Sequence, residues 1–357
     1  MFLESPNDKI MQEDLEIIAA DPLLQEKLKG SSILVTGATG LIGSQVVKAL
    51  ACMDRIYGTG IRIYALARSM EKAKLVLGEI TESDNVTVLL GDVNSPVRTD
   101  AEIDHIIHAA NPTSSRFFVE KPAETIQTAI GGTRNMLELA REKNVKGFVF
   151  LSSLEVYGTV DPNAGFIDES SYGYLDPLSV RSCYSEGKRM AECLCVSYGA
   201  EYGVPAKIAR LSQTFGAGVE YNDGRVFAEF ARCAIEKKDI VLHTAGRTVR
   251  TYCYTRDAVL ALLYILTLGE CGSAYNVTNM ETAVSIREMA ELVCGLYPEA
   301  GIGVTFDMPE DIEKMGYNPE MVIKLNSSRL SALGWEPAVG LEDMFRRMIL
   351  SIMERRS

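Results

Sequence analysis

Histidine and tryptophan are scarce in this sequence. Three histidines (His105, His108, His243) and one tryptophan stand among 357 residues. The eight cysteines (Cys52, Cys183, Cys193, Cys195, Cys233, Cys253, Cys271, Cys294) form no CxxC pair. So few histidines and such cysteine spacing do not build a zinc site, and no metal is expected. Cys193 and Cys195, two apart on a helical stretch, point in different directions. The thiols read as buried small apolar groups in a reducing compartment. Positive charge is also short: 36 Lys and Arg against 48 Asp and Glu leave a net charge of −12. That excludes a general attraction for nucleic acid or anionic membranes. No apolar run is long enough to span a membrane. The acidic start, MFLESPNDKIMQEDLEIIAADPLL, has no apolar signal core. The expectation is a soluble, cytoplasmic protein.

What is present is ordinary for a globular chain: 47% hydrophobic and 24% charged residues, enough for a sizeable core. The length suits one large domain or two fused ones. Residues 1–30 read as an N-terminal helical extension, with Leu15, Ile18, Leu23, Leu24 and Leu28 loosely at helical spacing. From Ser31, strands at 33–35, 61–67, 85–90, 104–109, 146–151 and 206–211 alternate with helices at 41–53, 122–143 and 182–202. This alternation predicts an α/β fold, a doubly wound parallel sheet with helices on both faces. It spans 31–211, with some later segments returning to it. Beyond it, 212–357 reads as a smaller mixed α/β C-terminal domain for substrate. Its helices fall near 225–237, 256–268, 285–296 and 341–354.

The first strand runs into Thr36-Gly37-Ala38-Thr39-Gly40-Leu41-Ile42-Gly43. A strand before the glycines and a helix after them make a Rossmann-like dinucleotide site. Gly37 permits the tight turn, Gly40 the close approach of a pyrophosphate, and Gly43 tight helix–strand packing. Thr39, Leu41 and Ile42 then present backbone to the phosphates, where the helix dipole is positive. Asp92 and Val93, after the third strand, suit adenine. Ala109 and Ala110 end the fourth strand beside the cofactor. The second strand ends in Arg68 where an acid usually meets the ribose of NAD. The cofactor is thus NAD, or NADP if Arg68 meets a 2′-phosphate.

Tyr184 and Lys188 lie four apart on one helical face. A lysine charge beside a phenol favours tyrosinate, which then takes a proton as hydride leaves carbon. Ser153, at the carboxyl end of the fifth strand, is placed to hydrogen-bond the reacting hydroxyl.

GATGLIG, the HAA of 108–110, SSLEVYG and YSEGK together resemble the extended short-chain dehydrogenase/reductases, over about residues 31–350. The resemblance implies a Rossmann domain holding its cofactor tightly and nucleotide-sugar substrates. It also implies a homodimer through a four-helix bundle of the 122–143 and 182–202 helices. Such enzymes begin by oxidising the sugar at C4, and the 4-keto intermediate then diverges to epimerisation, dehydration or decarboxylation.

Glu155 is expected to transfer a proton or position the sugar. Leu154 stands where dehydratases carry an acid, which weakens the 4,6-dehydratase reading. Longer stretches are similar to UDP-glucuronate decarboxylases: Asn111-Pro112-Thr113-Ser114, the run from Arg181 to Glu192, and Asn222 to Val226. The resemblance implies substrate contacts from Ser114, Arg181, Gln213, Arg225 and Arg250, the last gripping the diphosphate as a planar fork. Leu154 departs from the decarboxylase serine, Gln213 from an asparagine, Ala217 from a proline and Ala129 from an asparagine. The expectation leans to a UDP-glucuronate decarboxylase-like activity, with 4-epimerase or dehydratase activity as alternatives. An NADP-linked carbonyl reductase is the alternative of another class.

Overall fold

Two aspartates start the chain's first two helices. Asp8 caps α1 (Lys9–Ala19), its carboxylate accepting from the Met11 N–H, and Asp21 caps α2 (Pro22–Leu28) in the same way. The computed structural model describes residues 3–308 and 320–356. The ends of two expected spans, residues 1 and 357, lie outside these.

The wholly buried β1 (Ser32–Thr36) leads into α3 (Leu41–Tyr57). This helix runs past the expected end at Met53 because its stop is Gly58, left-handed at φ +61°. There follow β2 (Arg62–Ala67), α4 (Met70–Leu77), β3 (Val86–Leu90), β4 (His105–His108) and α5 (Ser115–Glu120).

The expected helix over 122–143 is not one regular α-helix. It divides into α6 (Pro122–Gln127), a π-helical turn (Thr128–Gly132) and α7 (Thr133–Glu142). Small residues explain the departure. Ala129 lies against Gly187, and Gly132 lies against the Val93 side chain, where added carbon would stand 3.1 and 3.0 Å away. The chain continues with β5 (Gly147–Ser153), β6 (Phe166–Ile167), α8 (Ser182–Tyr202) and β7 (Ala206–Leu211). Strand β5 extends two residues beyond the expected Leu151, pairing Ser153 with Leu211.

The remaining elements are β8 (Gln213–Phe215), α9 (Val226–Glu236), β9 (Ile240–Leu242), β10 (Val249–Tyr254), α10 (Thr255–Leu268), β11 (Ala274–Val277), β12 (Asn279–Ser285), α11 (Ile286–Leu296), β13 (Val304–Phe306), β14 (Val322–Leu325), α12 (Ser328–Ser331) and α13 (Leu341–Glu354).

Seven parallel strands form the main sheet, in the order β11-β7-β5-β4-β1-β2-β3. This is the doubly wound arrangement, with the order reversing between β1 and β4. The strand at its far edge, β11, comes from beyond residue 211. Helix α10 also packs on this sheet, against β5 and β7. A second sheet runs β12-β10-β14-β6, with β8 also pairing with β10.

The N-terminal helices bind the two parts together. Helix α1 packs on both α3 and α13. Arg55 of α3 meets Glu4 through two bonds of 2.7 and 2.9 Å. Asp14 accepts from the Tyr254 hydroxyl at 2.6 Å and from Arg347 of α13 at 2.9 Å. Ser351 donates to Asp8 at 2.5 Å.

Four cysteines fit the reading as buried apolar groups: Cys52, Cys183, Cys195 and Cys253. Cys193 and Cys271 do not, being exposed, and Cys233 and Cys294 are half-buried. The helical spacing of Cys193 and Cys195 puts one outward and the other inward. No helix among the described residues is long and apolar enough to cross a membrane.

Candidate active site

The glycine loop follows from backbone contact. Gly37 is left-handed at φ +66°, and a side-chain carbon there would stand 2.8 Å from the Ala109 backbone. At Gly43 such a carbon would lie 2.2 Å from the Gly37 carbonyl. No side chain caps α3 at Gly40, so its first N–H groups remain available. Thr39, Leu41 and Ile42 are half-buried around that open end. Buried His108 holds the loop from below, its Nδ1 2.8 Å from Thr36 Oγ1, which also accepts from the Ala110 N–H at 3.1 Å. Burial lowers the pKa of His108 to about 3, so the ring is neutral. This cradle fits a dinucleotide pyrophosphate. Val93 is buried beside it and accepts from Asn135. Asp92 is half-buried and accepts from the Asn94 N–H, and Arg68 is exposed at the end of β2.

A second group of side chains converges at the carboxyl end of β5. Ser153 ends that strand and accepts from the Glu155 N–H at 3.2 Å. Tyr184, in the first turn of α8, is buried, and the neighbouring Ser153 side chain favours its ionised form. Glu155 accepts from Arg181 at 3.0 Å and from the Ser185 hydroxyl at 3.3 Å. The ring of Phe118 lies flat against that of Tyr184. Burial drives the Tyr184 pKa up, and the Glu155 charge adds to this. Ser153 and Arg181 oppose it.

Lys188 is held from the strand side as well as from its own helix. Its Nζ donates to the Leu151 carbonyl at 2.6 Å and stands 4.5 Å from the Phe150 ring centre, but 5.9 Å from that of Tyr184. Burial lowers its pKa to about 7, with Glu192 opposing. In the chain alone the Lys188 charge is anchored on the Leu151 carbonyl, 5.9 Å from the centre of the Tyr184 ring. The i, i+4 spacing aligns two Cβ atoms, whereas the long lysine side chain reaches inward to a strand carbonyl.

Leu154 points into a small core with Val156, Tyr157, Ile323 and Leu325, which joins the turn after β5 to β14. Its departure from an acid or serine is thus a packing choice between the two sheets. Strand β14 pairs with β10 at Arg250. Among the described residues, the buried Nε of Arg250 has no hydrogen-bond partner, and neither has the buried hydroxyl of Tyr252. Such groups call for a partner, whether ordered water, an ion or a ligand. Gln213 pairs with Tyr252. Arg225 is held by Asp223 at 2.6 Å and reaches the Thr214 carbonyl at 3.4 Å. Ser114 is exposed at the start of α5, and its side chain does not cap that helix.

Sequence reasoning missed Phe118, Ser185 and Tyr252. It also missed the buried group under the site, where Glu192 takes Arg210 in two bonds of 3.0 and 2.7 Å and Ser152 at 2.5 Å. Ser185 was legible, one residue after Tyr184. Glu192, four after Lys188, was legible too. Phe118 left no local signal.

The model of the NAD dependent epimerase/dehydratase family matches residues 33–278. The chain belongs to this family. It is 32% identical to UDP-glucuronic acid decarboxylase 6 of Arabidopsis thaliana, over 90% of this chain and 89% of that one. Its fold is shared with dTDP-glucose 4,6-dehydratase from Bacillus anthracis in complex with NAD (20% identity, TM-score 0.73, 91% of this chain and 97% of that one). It is shared too with UDP-glucuronic acid 4-epimerase from Bacillus cereus in complex with UDP-glucuronic acid and NAD (20% identity, TM-score 0.72, 90% and 99%). The chain is an enzyme of the extended short-chain dehydrogenase/reductase type, and NAD is its cofactor.

Proposed function

We propose that this enzyme decarboxylates a UDP-glucuronate-like nucleotide sugar through a 4-keto intermediate. The observation that carries the reading is the convergence of Ser153, Glu155, Arg181 and Tyr184, in a chain 32% identical to a UDP-glucuronic acid decarboxylase over nine-tenths of its length. Bound NAD supplies the hydride acceptor and donor at the sugar's C4. Gly37, Thr39, Gly40, Leu41, Ile42 and Gly43 hold its pyrophosphate. Asp92 and Val93 would meet its adenine, and Ala109 and Ala110 would line the remainder.

Tyr184 takes the proton of the C4 hydroxyl, and Ser153 holds that oxygen. In the chain alone burial raises the Tyr184 pKa, and Ser153 and Arg181 oppose that rise. Lys188, whose pKa burial lowers to about 7, lies beneath on the Leu151 carbonyl. Arg181 orients the sugar or its carboxylate, Glu155 relays a solvent proton to C5 as carbon dioxide leaves, and the proton that Tyr184 took goes back to the C4 oxygen. A carboxylate two bonds from the C4 ketone leaves as carbon dioxide without needing an acid at 154. Arg250 grips the diphosphate with its free Nε, helped by Arg225 and Gln213, while Ser114 lies at the sugar side. In this reading 31–211 carry most of the cofactor site and 212–357 most of the substrate site. The protein works in the cytoplasm as a homodimer, joined through α6, α7 and α8.

Incubation with UDP-, dTDP-, GDP- and CDP-sugars, followed by product mass, tests the reading. Loss of carbon dioxide from UDP-glucuronate supports it. Loss of water, or altered NMR couplings at unchanged mass, replaces it with dehydration or epimerisation. Stoichiometric consumption of NADPH replaces it with carbonyl reduction, the reading that Arg68 favours.

A further inference from the structure

Phe118 comes from α5, outside every motif, yet it meets two residues of the site. Its ring and that of Tyr184 are stacked, with centres 4.3 Å apart and planes inclined by 17°. The Arg181 guanidinium stands 4.8 Å from the centre of the same ring. Cys183, between those two in sequence, donates through Sγ to the Phe118 carbonyl at 3.3 Å. Phe118 is 2% exposed. Phe118, Cys183 and Tyr184 form a small apolar cluster of their own.

We infer that Phe118 is a positioning residue, whose aromatic faces fix the Tyr184 phenol and the Arg181 guanidinium relative to one another. The inference rests on the reading of Tyr184 as the base. A phenol at the start of a helix can swing about its ring torsions unless something holds the ring. Stacking on Phe118 does that and leaves the hydroxyl free of the stack. A guanidinium on a long stem is equally free. Glu155 holds one end of it, and the Phe118 ring holds its plane. A leucine would fill the same space but offer no face to either.

Phe118 also walls Tyr184 off without adding charge. The charged groups facing Tyr184 are Glu155, from the turn after β5, and Arg181 and Lys188, from its own helix. Arg116 and Glu120 of α5 pair with each other in solvent. Removing the ring therefore changes the hydration of the phenol more than its electrostatics. Since burial is the main cause of the raised Tyr184 pKa, admitting water brings it down.

The test compares Phe118→Ala, Phe118→Leu and Phe118→Tyr in the full chain with bound cofactor. kcat and KM are measured against pH on the nucleotide sugar that the enzyme turns over. Alanine is expected to lower kcat by about tenfold and to shift the acid limb of the profile to lower pH. Leucine is expected to keep that limb, because the phenol stays dry, but to lower kcat and raise KM several-fold, because Tyr184 and Arg181 both lose their face. Tyrosine restores both. Identical profiles with a uniform loss of kcat, or leucine performing as well as tyrosine, overturn the inference. If the alanine variant does not fold, the leucine–tyrosine comparison decides alone.

Tyr184→Phe, assayed alongside, separates the two claims. Retained turnover in that variant defeats the base assignment. Loss of turnover there, with leucine equal to tyrosine at 118, defeats only the positioning role. A panel on which no nucleotide sugar is turned over overturns both.

Discussion

Tyr184 sits where water is excluded, and its phenol needs help to lose a proton. In the chain alone that help comes from Ser153 and Arg181, against burial and Glu155. Replacing Tyr184 by Phe is expected to lower kcat by about 10²–10⁴-fold with little change in substrate binding. Steady-state kinetics and calorimetric titration with the nucleotide sugar check this. Arg250 is argued the other way, as a binder. Arg250→Met is expected to weaken nucleotide-sugar binding by roughly tenfold or more while leaving cofactor content intact. Unchanged KM would place the diphosphate elsewhere. At this scale the sequence was readable where the chemistry is local. The glycine loop needs neighbouring residues only, and its Gly37 and Gly43 are forced by backbone contacts at 2.8 and 2.2 Å. It was not readable where a partner lies far along the chain. Lys188 bonds to Leu151, and Tyr184 stacks on Phe118. No spacing rule announces either.

Elements were legible in kind and less so in extent. Helix α8 and strand β7 begin and end where their periodicity says. The 122–143 segment reads as one helix because its apolar residues recur at helical spacing. The π-helical turn carries Ala129 and Gly132, which lie close against other elements, and periodicity does not encode such contacts. Residues 1–30 read as an extension, but their work emerges only in three dimensions. Asp14 of α1 lies between Tyr254 and Arg347 and faces Arg256 at 3.6 Å. Burial raises its pKa to about 6 from an ordinary 3.8, more than its partners lower it. An acid whose folded pKa is raised destabilises the fold as it ionises. The penalty is absent below about pH 4 and complete above about pH 6, and amounts to about 3 kcal/mol. Asp14→Asn is therefore expected to flatten the fall in Tm between pH 4 and 6. Parallel Tm curves for the variant and the native chain would show that Asp14 ionises freely.

For the whole molecule, the sheet order and its reversal between β1 and β4 place the cofactor loop and the Ser153–Tyr184 cluster along one edge. Strand–helix alternation foretold this architecture. That some later segments return to the main domain was expected, but which ones has no local signature, since α10 directly follows β10 of the second sheet. The proposed homodimer has its own mark. Ile126 of α6 and Met190, Val196 and Tyr202 of α8 are exposed apolar side chains on the helices assigned to the bundle. Met190→Glu is expected to convert dimers to monomers, read by light scattering at micromolar concentration. A native chain that is already monomeric there would refute the bundle.

The central claim is that the Ser153–Tyr184 site oxidises a nucleotide sugar at C4 on the way to losing its carboxylate. The most direct measurement is the mass of the product after purified enzyme and UDP-glucuronate are incubated together, with Tyr184→Phe as the control. The account predicts loss of carbon dioxide with the native enzyme and none with the variant. UDP-glucuronate recovered unchanged, or turned over equally by both proteins, would contradict it.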